Sequence, residues 1–227
     1  MAQTEYTTEV LADSPAVFYK LDEVSGLPQD SSGNLRHMVT PSGTPEYRYS
    51  SPFSGAFGIR MNGESFVRSP PVSTVTDNLA VELWINPELF DSGGASFFQN
   101  GSGSGNGVEI GISASSKKFY INVDGTDPQE GRWAQNVGWI HVAVVRRSSV
   151  WEWYFNGDLW MANAGNGSVS TPTGSTRIAS STPSFTLSNL SFYGTALSAI
   201  RIRAHYEAAI DYIERPLAIP AIAAMSW

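Results

Sequence analysis

Five Asn-Gly pairs punctuate this chain, at Asn62-Gly63, Asn100-Gly101, Asn106-Gly107, Asn156-Gly157 and Asn166-Gly167, and Asp124-Gly125 is a sixth site of the same kind. Two-residue hairpin turns of the primed types need positive φ at their centre, a conformation that Asn, Asp and Gly tolerate best. So many sites of this type push a chain towards short antiparallel strands. The segments between them agree, being short and rich in β-branched and aromatic residues: 16–21, 57–61, 66–68, 79–86, 108–112, 118–123, 140–146, 150–155 and 187–193. The expected fold is all-β, a two-sheet antiparallel jelly-roll sandwich.

Alternation along the strands separates two faces. In 79–86, Leu79, Val81, Leu83 and Ile85 share one side, and Ala80, Glu82 and Trp84 share the other. In 150–155, Trp151, Trp153 and Phe155 alternate with Glu152 and Tyr154. The first face suits a core; the second, mixing aromatic and acidic groups, suits either a half-buried outer face or a binding surface. Two helices bracket the strands. One spans 4–12 and stops at Asp13-Ser14-Pro15; the other starts at Ser198 as N-cap and runs to about Ile213. Its stripe of Ala199, Ile202, Tyr206, Ala209, Ile210 and Ile213 has helical spacing and should dock on the sandwich. The Gly/Ser-rich stretches 92–107 and 163–183 read as long loops, each with one short strand, at Phe97-Phe98 and 177–179. The organisation expected is a helical segment over 1–14, one jelly-roll domain over 15–209, and a tail over 210–227.

Composition narrows the function. There are no cysteines, so disulfides and thiolate metal sites are excluded. The formal net charge is -7, and the densest basic spots, Lys117-Lys118, Arg146-Arg147 and Arg201-Ile202-Arg203, are too short for a nucleic-acid footprint. No membrane span is expected: the longest apolar stretch, 216–227, is too short and holds Pro216 and Pro220. Residues 1–10 are polar and unlike a signal peptide, so the expectation is synthesis in a cytoplasm without export by the usual route.

Four motifs in order carry a family resemblance. Tyr19-Lys20-Leu21-Asp22-Glu23 with Gly26 and Asp30-Ser31-Ser32-Gly33-Asn34 resembles the opening of a laminin-G-like, concanavalin-A-like jelly roll. Val81-Glu82-Leu83-Trp84-Ile85-Asn86-Pro87 resembles its central strand. Residues 138–146, followed by Trp153-Tyr154-Phe155-Asn156-Gly157, resemble its best-marked hairpin. Residues 187–197 and the helix after them resemble its closing elements. The resemblance covers about 15–208, and the version here looks most like domains in tail and other virion proteins of actinobacterial phages. It implies a fold that hosts lectins, enzymes and structural modules alike.

Candidate sites follow. Glycosidases of this fold need two carboxylates, which the β-glucan-hydrolysing relatives carry at alternating positions of one strand; neither Glu82 nor Glu152 has such a partner. No nucleophile elbow, zinc pair or phosphate loop occurs, so no catalytic residue is expected. Members of the fold often hold one calcium, and Asp22, Glu23, Asp30, Asn34 and Asn189 are its candidate ligands; the competing reading of 30–34 is a self-capped turn. No cofactor is otherwise required. Glycan contact would use aromatic faces and orienting polar groups, here Glu82, Trp84, Trp133, His141, Trp151, Tyr154 and Trp160; core packing is the competing role for each Trp. In the tail, Ile219, Ile222, Met225 and Trp227 form an apolar strip suited either to a partner or to docking on the chain's own sandwich. The favoured expectation is a non-enzymatic phage virion protein, a minor tail or decoration component. It would associate with other virion proteins and with itself, and could also contact host-surface polysaccharide. A dedicated carbohydrate-binding adhesin is the alternative, and a glycoside hydrolase the remote one.

Overall fold

The computed structural model describes residues 2–88, 93–101, 106–124, 129–134, 138–164, 169–178 and 184–214. In chain order it runs α1 (Ala2–Ala12), β1 (Val17–Tyr19), β2 (Thr40–Ser42), β3 (Glu46–Ser50), β4 (Phe57–Met61), β5 (Ser65–Arg68), β6 (Leu79–Pro87) and β7 (Ala95–Asn100). Then come β8 (Val108–Ile112), β9 (Lys118–Val123), β10 (Gln129–Trp133), β11 (Ile140–Arg147), β12 (Val150–Phe155), β13 (Asp158–Ala164), β14 (Thr176–Ile178), β15 (Phe185–Tyr193) and α2 (Ala199–Glu214).

The strands form two antiparallel sheets. The first has the order β13-β12-β11-β6-β15-β4-β3, with β1 also paired to β15; the second has the order β10-β9-β8-β7-β14-β5-β2. The sandwich and both helices are as the alternation and caps predict. Ser198 caps α2, its Oγ accepting from the Arg201 amide at 3.3 Å. Strands β2, β3, β10 and β13 are additions that the sequence patterning missed. Thr40-Pro41-Ser42 and Glu46 to Ser50 carry few apolar residues, because β2 and β3 are sheet edges and half their backbone faces solvent.

The turn signals act in more than one way. Asn156 (φ 52°) and Gly157 (φ 80°) form a two-residue hairpin turn, with Phe155 opposite Asp158. A Cβ at Gly157 would also sit 3.0 Å from Tyr206, so this turn touches α2. Asn62-Gly63 does something different. It links β4 in the first sheet to β5 in the second, so it carries the chain across the sandwich instead of closing a hairpin. The tight β11–β12 turn uses Ser148 (φ 49°) and Ser149 (φ 67°), which no Asn-Gly rule finds. Asn166-Gly167 lies outside the described residues.

Two apolar clusters result. Leu79, Val81, Leu83 and Ile85 of β6 join Trp151, Trp153 and Phe155 of β12 and residues of the second sheet between the sheets. Ala80, Trp84, Ala143, Val145, Tyr154 and Tyr193, on the opposite face of the first sheet, pack against Tyr6 and Val10 of α1 and Ile202 and Ala209 of α2. That second cluster contains no residue of the second sheet.

Candidate functional site

The mixed aromatic and acidic face of the first sheet is sealed beneath the two helices. At its centre Glu82 is fully buried and accepts four side-chain hydrogen bonds. Tyr6 of α1 donates at 2.9 Å, His141 Nε2 at 2.7 Å, His205 Nδ1 of α2 at 2.8 Å, and Tyr193 at 3.2 Å. A carboxylate only accepts, so His141 carries its proton on Nε2. His205 Nε2 faces Asp13 Oδ2 at 3.0 Å and the Glu9 carbonyl at 3.2 Å, so both of its nitrogens meet acceptors and the ring is an imidazolium. Burial opposes both charges, yet the pairing prevails. Glu82 is held well below the usual carboxylate range by His205 and His141, and His205 is raised above its ordinary value by Glu82 and Asp13. Burial and Glu82 raise the Tyr6 and Tyr193 hydroxyls. This knot ties both terminal helices to β6, β11 and β15.

It also corrects the expected glycan face. Glu82, Trp84, His141 and Tyr154 are all buried on that side, with Trp84 stacked against Tyr206 at 6.0 Å between centroids. Trp151 is on the opposite side, fully buried between the sheets, with the Arg146 guanidinium 5.1 Å from its ring. None of these five side chains offers a free face for a sugar. Trp160 does, being 58% exposed on the edge strand β13, with Arg132 5.9 Å from its ring and Phe155 edge-on. Trp133 pairs in register with Lys118 at the neighbouring edge of the second sheet, and its side chain lies outside the described residues. The two strands β10 and β13 lie side by side at one border of the sandwich.

The calcium candidates do not gather. Asp30 accepts the backbone amides of Phe18, Ser32 and Arg36 at 3.1, 2.9 and 2.8 Å. Asn34 turns its amide nitrogen towards the carbonyls of Pro15 and Ala16 and the Ser32 hydroxyl. Glu23 caps the Gln29 amide, and Asp22 accepts from Gln3. Asn189 is a buried bulge residue in β15 (φ 51°), bonded to Ser188. The Asp30 and Asn34 side chains hold the backbone of 30–36, which is the self-capped turn, while Asn189 Oδ1 and Glu23 Oε2 are buried without a hydrogen-bond partner. Among the described residues no group of three or more His, Asp or Glu could hold a metal ion.

Among the described residues, the outer face of the second sheet is a polar surface outside the motifs singled out in the sequence. Thr176 and Ile178 point into the core, so Arg177 between them points out. From there a row runs across four strands in register: Arg177 opposite Gln99, Gln99 opposite Glu109, and Glu109 opposite Asn122. Tyr120 lies flat over Gly111, where a Cβ would come within 2.8 Å of its ring, and donates to Glu109 at 2.6 Å. Burial and Glu109 raise the Tyr120 hydroxyl. Among the described residues the side chains of Arg177 and Gln99 have no hydrogen-bond or ion-pair partner, and Asn122 Oδ1 is buried without one. The signal was present in the sequence as polar residues alternating with Ile110, Phe119, Ile121 and Ile178; what it lacked was the pairing register. Glu109 and Glu130 share this face, separated by β9. Glu130 is held by Ser116 and Lys118, which lower its carboxyl below the ordinary range, the reverse of what a general acid needs.

The tail candidates Ile219, Ile222, Met225 and Trp227 lie outside the described residues. Among the described residues no helix is long and apolar enough to cross a membrane.

Solved structures share this architecture. The botulinum neurotoxin type C structure described as dependent for cell entry on two ganglioside molecules superposes with a TM-score of 0.69 at 11% identity, covering 89% of this chain and 53% of that one. The binding domain of the serotype D/C neurotoxin gives 0.67 at 11% identity over 88% and 53%, and the DC binding domain in complex with rat synaptotagmin II gives 0.66 at 12% over 88% and 52%. This chain therefore spans about half the length of those chains, and the likeness is one of fold. The serotype D/C and DC neighbours are described as binding domains. No curated protein sequence matches the chain. The Laminin_G_3 model matches residues 61–203, more than half of the sequence, from the last residue of β4 into α2. The chain belongs to that family, the concanavalin A-like lectin/glucanases superfamily.

Proposed function

We propose that this chain is a non-enzymatic surface component of a phage virion, a minor tail or decoration protein, whose jelly roll contacts host-surface glycan. One observation carries the glycan part: the first sheet is sealed by helices, while the second presents an in-register row of polar side chains in which Glu109 is bonded to Tyr120 and Arg177 and Gln99 have no partner among the described residues. Polar groups fixed on a rigid sheet, with an aromatic platform at its border, are what oriented contact with a polyol needs. Trp160 supplies the exposed ring and Arg177, Gln99, Glu109 and Asn122 the polar row. The ganglioside-dependent neurotoxin neighbour supports a glycan-contacting use of this architecture. The virion part rests on the resemblance of the opening segment to phage domains, and particle attachment and self-association are assigned to the apolar strip Ile219, Ile222, Met225 and Trp227.

Two measurements test the reading. Purified chain is passed over host cell-wall polysaccharide and a glycan array, with and without calcium. Retention that falls on Trp160→Ala supports the contact, and a blank result in both conditions overturns it. Deleting residues 217–227 is expected to abolish particle incorporation or oligomerisation. An unchanged sedimentation profile with normal particle occupancy overturns the attachment role. Glycan retention by a chain that never enters particles would instead favour a free adhesin.

A further inference from the structure

We propose that the open face of the second sheet takes an acidic polysaccharide, with the Arg177 guanidinium seated on a sugar carboxylate. This rests on the glycan-contacting reading above and specifies the ligand class. The pattern of charge on this face supports it. Arg177 is the only charged group in the row without a neutralising or hydrogen-bonding neighbour among the described residues, since Glu109 is engaged by Tyr120. The other carboxylate on this face, Glu130, is paired with Lys118 at 3.2 Å. On a strand paired on both sides, the unpaired Arg177 guanidinium offers a planar fork that matches a carboxylate.

The row is also polarised. Its positive end is at β14 and its negative end, Glu109 with Tyr120, is two strands away at β8, with Gln99 between them. At about 4.8 Å per strand the four members span roughly 14 Å, enough for a short run of sugar units across the strands. A carboxylate seats at Arg177 and is repelled from Glu109, where hydroxyl donors are favoured instead. That arrangement fixes the direction of the chain and prefers a polymer whose acidic groups are spaced, with hydroxyls between. The protein's own net charge of -7 works against general attraction of polyanions, so selectivity for acidic glycan has to come from this local group.

The test compares one polymer in two states. Polygalacturonate, its carboxyl-reduced form and neutral dextran are titrated against the wild-type chain by calorimetry, and against Arg177→Gln and Arg177→Lys. Polygalacturonate is expected to bind at least tenfold tighter than the reduced polymer. Arg177→Gln should remove that preference, and Arg177→Lys, which keeps the charge without the fork, should lose part of it; a charge-assisted hydrogen bond carries about 10- to 100-fold in affinity. Equal binding of both forms by the wild-type chain overturns the inference and leaves the glycan reading standing, as does binding of dextran alone. Binding of none of the three overturns the acidic-glycan inference, and the host-wall and array measurement decides the wider reading. Concentration-dependent self-association that is lost in Arg177→Gln, with no polymer bound, would assign the face to a second copy and also overturn the proposal. Since the wild-type comparison needs no variant, a folding defect in Arg177→Gln cannot rescue it.

Discussion

Replacing Glu82 with alanine withdraws one acceptor from Tyr6, His141, His205 and Tyr193 at once, in a place that water does not reach. The imidazolium of His205 then keeps Asp13 and the Glu9 carbonyl but loses its buried counter-charge. Removing one partner of a buried ion pair costs about 3–5 kcal/mol. For a chain of this size that is a fall in Tm of roughly 6–20 °C. Glu82→Gln keeps the shape and should lose about half as much, within the ~1–3 kcal/mol cost of misdirected buried hydrogen bonds. The pH dependence carries a second signature. His205 is raised in the folded state, so its contribution is complete below the unfolded value near 6.5 and is lost as pH rises through the folded value. Glu82 is depressed, so its contribution is present above the unfolded carboxylate value near 4.3 and is lost as pH falls. Urea unfolding followed by tryptophan fluorescence from pH 4 to pH 9 should therefore show a wild-type maximum between these limits and a decline on the alkaline side. Both Glu82 variants should lose most of that alkaline slope. A Glu82→Ala variant within about 1 kcal/mol of wild type, or one that keeps the wild-type slope above pH 6.5, would refute the charged-knot account.

Other perturbations separate the remaining roles. Arg201→Ala breaks the contacts to Asp13 at 2.9 Å and Glu9 at 2.7 Å between the helices; both are part-exposed, so chemical denaturation should register about 1 kcal/mol or less, shrinking with added salt. Gly157→Ala places a Cβ 3.0 Å from Tyr206 at φ 80° and should cost about 1–3 kcal/mol, read as a lowered Tm; an unchanged Tm would mean the turn does not press on α2. Asp30→Asn turns a donor towards amides that Asp30 accepts and should cost about 1–3 kcal/mol, while millimolar calcium should leave the wild-type Tm unmoved; a calcium-induced rise would reinstate a metal at 22–34. Trp160→Ala should change stability by about 0.5 kcal/mol or less while weakening glycan retention, and a large loss of stability would mark the ring as structural.

Features set within a few residues are legible in the sequence. The alternation in β6 and β12 assigns their core faces, the Asn156-Gly157 turn is where its chemistry requires it, and Ser198 caps the helix its position predicts. The covering of the first sheet's outer face is not legible in the sequence, for a definite reason. Glu82, Trp84 and His141 look like a binding surface because a carboxylate, an indole and an imidazole alternate outward along paired strands, and nothing nearby in sequence announces what covers them. Their cover comes from Tyr6, some 76 residues before Glu82, and from His205, 123 residues after it.

Fold class, the separation of core and outer residues within each strand, and the positions of the two helices are legible in residue order alone, because these depend on period, turn chemistry and capping within a few residues. Which outer face is open follows from contacts far apart in the chain. The Asn62-Gly63 crossing, the strand order and the return of both terminal helices to one sheet are long-range events. The helices are tied down by one buried carboxylate shared by residues from α1, β11, β15 and α2. Pairing register within the second sheet lines up Arg177, Gln99, Glu109 and Asn122, which no spacing within a single strand encodes.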